Sequence, residues 1–313
     1  MVMLHFMNPF LKSFDFLFQF DEPTSRLYHI NILSNLLVLF IFAFLSRSPG
    51  RPTWALIKSW IFKKNYWWNR STKQDYFIYI FNGVFKTVLV VPLIECSFLI
   101  SRWTSQTLFK STDDYSSQYF STGYWSILIF SVAAFIFDDL LRFLQHLLMH
   151  RIPLLWKFHQ THHSARILTP ITLYRAHPVE SVLAVLRNSL SLGISSGVFI
   201  FLFGSVMSIW TILGVNGLGF TFNLIGANLR HSHIRLGFGW LEHIVISPLQ
   251  HQIHHSKKSE HYDKNFGVTL AIWDQLGGTL MLSKNIPNLK FGLSDPFNKS
   301  FLKMLSHPFQ RSR

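Results

Sequence analysis

Cysteine is almost absent from this chain. Cys96 is the only one in 313 residues, so no intramolecular disulfide can form and no cysteine-rich metal site exists. Charge is scarce as well. Only 14% of residues are Asp, Glu, Lys or Arg, against about a quarter in an ordinary soluble domain. Acidic residues are scarcer still, 15 against 29 Lys and Arg. The first twenty residues hold a single base, Lys12, and no small-residue cleavage site, so the N-terminus does not read as a signal peptide. Its Phe-rich character fits a helix lying at a membrane surface. Serine-nucleophile, Cys–His and phosphate-loop chemistry find no support.

Apolar residues fill the space that charge leaves. They make up 49% of the chain, with 32 Phe and 10 Trp, and mean hydropathy is +0.24. That composition excludes intrinsic disorder, a coiled coil and a collagenous protein, and it points to a membrane protein. A crossing helix needs about 20 apolar residues. Tyr28–Leu45 and Tyr76–Ile100 are candidates, the latter interrupted by Lys86 and Glu95. Tyr124–Phe137 is a third, running on into the polar-faced stretch Asp138–His150. Asn188–Leu229 has no Asp, Glu, Lys or Arg in 42 residues and reads as a hairpin of two spans turning near Gly204-Ser205. The expected fold is all-α, a polytopic integral membrane bundle of about five spans.

Loop charge sets the expected orientation. Residues 47–75 carry seven bases (Arg47, Arg51, Lys58, Lys63, Lys64, Arg70, Lys73) against Asp75. Residues 101–122 carry two of each sign, and residues 1–26 two bases and three acids. The positive-inside rule then places 47–75 in the cytoplasm and, five spans on, 142–187 and 230–313 with it. Bases distributed by loop do not form the clustered patch of a nucleic-acid binder. Three regions follow: 1–122, a surface helix and two spans; 123–282, the remainder with the motifs below; and 283–313, a C-terminal tail.

Sixteen histidines matter through their spacing. His146-Leu-Leu-Met-His150 puts two imidazoles on one helix face. His159-Gln-Thr-His162-His163 follows nine residues later, and His251-Gln-Ile-His254-His255 repeats its H-x-x-H-H spelling. In each repeat, i and i+3 are expected on one face with i+4 beside them, so that one turn reaches two adjacent metals. Imidazole alone does not name the metal, since all-histidine sites accept iron and zinc alike. Eight histidines exceed one tetrahedral zinc site and suit two metals with open positions. These clusters form an expected histidine-rich helical cap on the cytoplasmic face.

H-x3-H, H-x2-H-H and H-x2-H-H in this order, between paired hydrophobic spans, resemble the fatty acid hydroxylase/sterol desaturase superfamily of membrane di-iron enzymes. The short gap from His150 to His159 fits that superfamily better than the acyl-CoA desaturases. The resemblance runs from Trp125 to Leu280. It includes Asp139, His150-Arg151, Arg175-Ala-His177-Pro-Val-Glu180, Asn265-Phe-Gly267 and Trp273-Asp274. It also implies a ligand about twenty residues before the last box, where His231 stands. His233 is a further candidate there. His177 has three readings: ligand, hydrogen-bonding partner of a ligand, or helix-start residue before Pro178. His261 could enter the site or remain in an exposed loop. Asp139, two turns before His146, could accept the other ring N–H of a ligand or pair with Arg142. Glu180 and Asp274 have similar readings.

The resemblance implies O2-dependent hydroxylation of a lipid C–H bond by two iron ions. Substrates in the family's range are fatty-acyl, sterol-like or alkylglycerol-type lipids. C–C desaturation with the same site is the alternative, and a non-enzymatic membrane metal protein is a third. Since no H-P-G-G motif of a fused cytochrome b5 domain is present, electrons are expected from a separate ferredoxin- or cytochrome-type partner.

Overall fold

The computed structural model of the chain describes residues 27–46, 52–89, 95–112, 119–204, 209–293 and 300–310, with the backbone alone at 86–89 and 209–216. The surface helix expected in 1–26 and the side chain of Lys86 lie outside the described residues. Helices dominate: α1 His29–Leu45, α2 Thr53–Ile61, α3 Arg70–Leu89, α4 Glu95–Thr112, α5 Tyr124–Arg151, α6 Pro153–His163, α7 Pro178–Phe203 and α8 Ile209–Leu224. Three short helices follow, α9 Pro248–His254, α10 Ile272–Leu276 and α11 Phe301–Ser306. Among the described residues the only β pairing is two isolated bridges, Val245 with Leu270 and Ser256 with Phe291.

One described helix, α7, is long and apolar enough to cross a bilayer, and α1 is apolar but has 17 residues. Five crossings were expected. Tyr76–Ile100 falls in α3, described to Leu89, and α4, described from Glu95, and residues 90–94 between them lie outside the described residues. The apolar run from Tyr124 ends at Asp138-Asp139, although α5 continues unbroken for 28 residues and carries the polar-faced stretch in the same helix. α7 ends where the turn was expected, at Gly204, and residues 205–208 lie outside the described residues. Gly204 ends α7 with φ 62, a left-handed conformation that glycine takes without penalty.

Two of these helices, α1 and α4, bury polar side chains and turn large apolar ones outward. α1 buries Asn31, Asn35, Leu39 and Ala43, while Leu33 and Leu37 on its other face are 63% and 60% exposed. The Asn35 carboxamide is satisfied, donating to Asn31 O and Asn223 O at 2.6 and 3.0 Å and accepting from Asn228 N at 3.2 Å. α4 packs along α7 with Ser97, Ser101, Thr104 and Ser105 buried. Gly193 and Gly197 of α7 allow that approach: a Cβ on Gly197 would lie 2.7 Å from Ser101 O, and one on Gly193 2.9 Å from Ser97 O. Small residues four apart let helix backbones pack this closely. The segment Gly193-Ile-Ser-Ser-Gly197 also spells G-x-S-x-G. It lies within a helix rather than at a strand-to-helix elbow, so the spelling carries no nucleophile.

The shorter elements gather beyond one end of α5. Ile152 is extended and Pro153 opens α6, the position where its missing N–H costs nothing. This reversal sets α6 against the last turns of α5. The expected tail is part of the core: Met304 of α11 is fully buried, and its Sδ lies 3.6 Å from Ser164 Oγ and from Arg175 Nη2.

Candidate metal centre

The last two turns of α5, the last of α6, the turn Ala227–His231 and helix α9 converge, and their histidines fall into two groups. His146, His150, His159, His163 and His254 form one; His162, His231, His251 and His255 form the other, with all ligating nitrogens in a group within 4.8 Å of one another. In the first, His163 Nε2 stands 3.1 Å from His150 Nε2 and 3.2 Å from His159 Nε2. The groups adjoin, the His163 and His255 rings stacking at 4.5 Å.

Each H-x-x-H-H box divides between the groups. His159 and His163 go to the first and His162 to the second; His251 and His255 go to the second and His254 to the first. The shared face is therefore i and i+4, not i and i+3 as expected. At 3.6 residues per turn, i+4 is offset by about 40° and i+3 by about 60°. One turn does serve both groups, in mirrored fashion.

The chemistry of the second group calls for a cation. His231 Nε2 lies 3.0 Å from His251 Nε2 and 3.2 Å from His255 Nε2, and the last two are 3.2 Å apart. In a neutral ring each such nitrogen is either donor or acceptor. A triangle of three must therefore oppose two donors or two acceptors. A metal among them removes the conflict, and donors about 2.0–2.1 Å from a metal stand roughly 3 Å apart. In the first group, His254 Nε2 is buried without a hydrogen-bond partner.

Backbone carbonyls fix several tautomers. His146 Nδ1 donates to Phe266 O at 2.8 Å, His254 Nδ1 to Lys264 O at 2.8 Å and His162 Nδ1 to Arg175 O at 3.2 Å. A carbonyl only accepts, so Nδ1 holds the proton and each Nε2 turns a lone pair inward. Glu180 Oε1 stands 3.2 Å from His159 Nδ1, a carboxylate that favours the same tautomer.

Those carbonyls are themselves held. Asp274 accepts from Phe266 N at 2.8 Å, Gly267 N at 2.6 Å and Thr279 Oγ1 at 2.5 Å. Asn265, at φ 57, donates to Gln250 O and Met281 O and accepts from Met281 N. A Cβ on Gly267 would lie 2.6 Å from Leu270 O. These contacts account for the Asn-Phe-Gly and Trp-Asp spellings. Asp139 accepts from Thr269 N, Leu270 N and Trp273 Nε1 at 3.1, 2.9 and 3.1 Å. It binds neither a histidine ring nor Arg142, which pairs with Asp138 at 2.6 Å. Asp139 thus anchors the loop whose Phe266 carbonyl orients His146.

Three further histidine candidates stand outside both groups. His177 is the helix-start residue: Val179 N donates to its Nδ1 at 3.2 Å and its Nε2 donates to Leu305 O at 3.0 Å. With both nitrogens engaged it has no lone pair to offer. His233 packs edge-on against Tyr66 with ring centroids 4.4 Å apart. His261 is fully buried rather than exposed, its Nε2 3.4 Å from Glu260 Oε1. Glu242 and Gln252 were not anticipated. Glu242 accepts from Ser247 Oγ at 2.7 Å and Ser283 N at 2.8 Å, steadying the start of α9. Gln252 ties α9 to the His231 turn through Leu229 O and Ile234 O at 3.2 and 2.7 Å. Gln252 lies inside the third box, which is the signal that could have marked it.

Burial keeps these rings neutral. The His159 and His162 pKa values are pushed down to about 3, first by burial, and His163, His251 and His255 also fall well below the usual value. Unfolded histidines titrate near 6.5. Metal-free protein should hold its full stability above pH 6.5 and lose it as pH falls toward 3, because only the unfolded chain takes up these protons. Each ring contributes up to about 1.4 kcal/mol per pH unit. Thermal unfolding of chelated protein should shift steeply downward from pH 7.5 to 5; a flat profile would contradict neutral burial.

A cleft of about 420 Å³ opens beside both groups, lined by His150, His163, His254, His255, Trp156 and Tyr262 among others. The described residues thus bring nine imidazoles into two adjacent groups, each of which could hold a metal ion. Residues 131–279 match the family model for fatty acid hydroxylase, in keeping with the resemblance carried by the three histidine boxes. The chain is 27% identical over 187 residues to the ornithine lipid hydroxylase OlsE of Rhizobium tropici, covering 60% of this chain and 52% of that protein. It is 28% identical over 153 residues to the alkylglycerol monooxygenase of Homo sapiens, 49% of this chain and 30% of that one. It is 29% identical over 147 residues to the very-long-chain aldehyde decarbonylase GL1-1 of Oryza sativa subsp. indica, 43% and 21% respectively. The chain thus spans about half or less of the length of these relatives. No solved structure matches it.

Proposed function

We propose that the chain is an integral membrane di-iron oxidoreductase that uses O2 to hydroxylate a C–H bond of a fatty-acyl, sterol-like or alkylglycerol-type lipid. The observation that carries this reading is the division of nine histidines into two adjoining groups within a region matching the fatty acid hydroxylase family. His146, His150, His159, His163 and His254 would hold one iron, and His162, His231, His251 and His255 the other. When bound, the iron pair supplies the oxygen-activating redox chemistry that oxidises an unreactive C–H bond.

The chain's own residues have separate tasks. Phe266, Arg175 and Lys264 carbonyls keep protons on Nδ1 so that Nε2 remains free to ligate. The fully buried Phe266 ring, 5.0 Å from that of His150, excludes water from that side. The cleft at Trp156 and Tyr262 offers entry to O2. Apolar outward faces on α1 and α4 with buried Asn, Ser and Thr suit helices solvated by lipid. Together with the basic segment 47–75, they support several crossings with the histidines on the cytoplasmic side. The regions 1–122, 123–282 and 283–313 then serve as membrane anchor, catalytic unit and packed C-terminal segment. Electrons would come from a separate ferredoxin- or cytochrome-type donor.

Comparing lipid extracts of cells expressing wild type and His254→Ala, under air, by untargeted mass spectrometry tests the reading. A lipid class that gains one oxygen only with wild type is the expected result. Loss of two hydrogens instead would move the assignment to a desaturase with the same site. A metal-replete protein that changes no lipid, with its donor supplied, would favour a non-enzymatic metal protein.

A further inference from the structure

An apolar cavity of about 260 Å³ lies apart from the polar cleft, walled by Leu36 and Leu39 of α1, Trp60 and Ile61 of α2, and Trp67 and Leu229 among others. Its wall and the second histidine group share one stretch of chain: Asn228, Leu229, Ser232, His233 and Ile234 line it, and His231 belongs to the group. A ligand in the cavity therefore lies against the backbone that carries His231.

Among the described residues, charge around the cavity has one sign. The segments that wall it, residues 27–46, 52–74, 165–174 and 227–236, contain no Asp or Glu and eight Lys or Arg. Five of these, Lys58, Lys63, Lys64, Arg70 and Lys73, are exposed. They alternate with outward aromatics, Trp54 at 65%, Phe62 at 74% and Trp68 at 63% exposure. Asp75, which follows the second of these segments, is fully buried against Arg175 and neutralises nothing at the rim. Lys63 and Lys64 lie on the link between Ile61 and Tyr66, both of which line the cavity together with His233. The imidazole of His233 offers an N–H at the cavity wall.

We propose that this cavity takes the hydrocarbon tail of an anionic glycerophospholipid, whose phosphate-bearing headgroup is held at the rim by Lys63, Lys64 and His233. The apolar walls suit a tail, exposed bases and an imidazole N–H suit a phosphate, and flanking aromatics are the residues that settle at a lipid interface. This deepens the lipid-oxidising reading and rests on it for its consequence, because it makes an anionic lipid the class presented beside His231.

The test is binding by the full-length protein in neutral detergent, read as tryptophan quenching by phosphatidylglycerol or phosphatidylcholine with dibrominated chains. Phosphatidylglycerol should half-saturate at about tenfold lower concentration. Lys63→Glu/Lys64→Glu should abolish that preference and leave phosphatidylcholine unchanged. Trp60→Phe/Trp67→Phe should remove the headgroup-dependent part of the quenching, which locates the tail. Equal affinity for both lipids, or indifference to charge reversal, would overturn the proposal. Displacement of the quenching lipid by glycerol phosphate as effectively as by phosphatidylglycerol would overturn the tail site and leave a phosphate site. Oxidation of both lipids measured alongside separates the two readings. Headgroup-blind binding with turnover sinks only the anionic preference, whereas anionic preference without turnover of either lipid sinks only the oxidative reading.

Discussion

Alanine at His254 or at His162 should abolish turnover while leaving the protein inserted and helical. The two residues belong to different groups, His254 to the five and His162 to the four. Each substitution removes one inward Nε2 and one hydrogen bond to a carbonyl, Lys264 O or Arg175 O. The lost hydrogen bond costs about 1 kcal/mol, too little to unfold the chain. Loss of the donor should weaken metal binding by more than the roughly 10–100-fold that removal of an outer hydrogen-bonding partner costs. Metal analysis should therefore fall from two per chain toward one in each variant, with both metals required for activity. His177→Ala, outside both groups, should retain both metals. Full activity in either histidine variant would remove the two-metal reading.

The boxes were legible because ligation needs side chains at helical spacing, and such spacing is written locally. His231 was legible only through the resemblance, since nothing near it in sequence marks it; Gln252, nearly a helix-length of chain away, sets its turn in place. The partition within each box depends on helix phase, and the sequence-based choice of i and i+3 took the wrong pair. Asp139 shows a different difficulty. Its spacing to His146 is right for a helix-face contact, yet its partners lie 130 and 131 residues away at Thr269 and Leu270. A buried carboxylate takes whatever N–H groups tertiary packing brings to it, and these come from a loop with no periodicity to read. The spans suffered from the same limit. Apolar runs marked α1, α7 and the end of α7 at Gly204, whereas the run from Tyr124 stops at Asp138-Asp139 inside a helix, α5, that continues to Arg151.

Replacing Asp75 by alanine should destabilise the protein by about 3–5 kcal/mol, the cost of leaving a buried charge without its partner. Arg175 and Asp75 are both fully buried, with Nη1 donating to Oδ1 at 2.7 Å. The guanidinium also donates to Thr161 O at 3.0 Å, Ser71 O at 3.1 Å, Gln74 Oε1 at 3.1 Å and Ser164 Oγ at 2.8 Å. It thereby joins α3, α6 and, through Met304, α11. The other carboxylate oxygen accepts from Thr172 Oγ1 at 2.7 Å. Asp75→Asn keeps the shape and one of the two acceptor contacts, so it should cost less than Asp75→Ala. Thermal unfolding of the two variants measures the difference, and equal, small losses would show that the pair is not holding the cap. The effect should also reach the metal centre by a defined route. Arg175 O orients His162, so an arginine that seeks water after losing Asp75 shifts the carbonyl that fixes the His162 tautomer. Asp75→Ala should therefore weaken metal at the four-histidine group before it weakens metal at the five-histidine group. His254, oriented by Lys264 O, and His146, oriented by Phe266 O, have no part in that route.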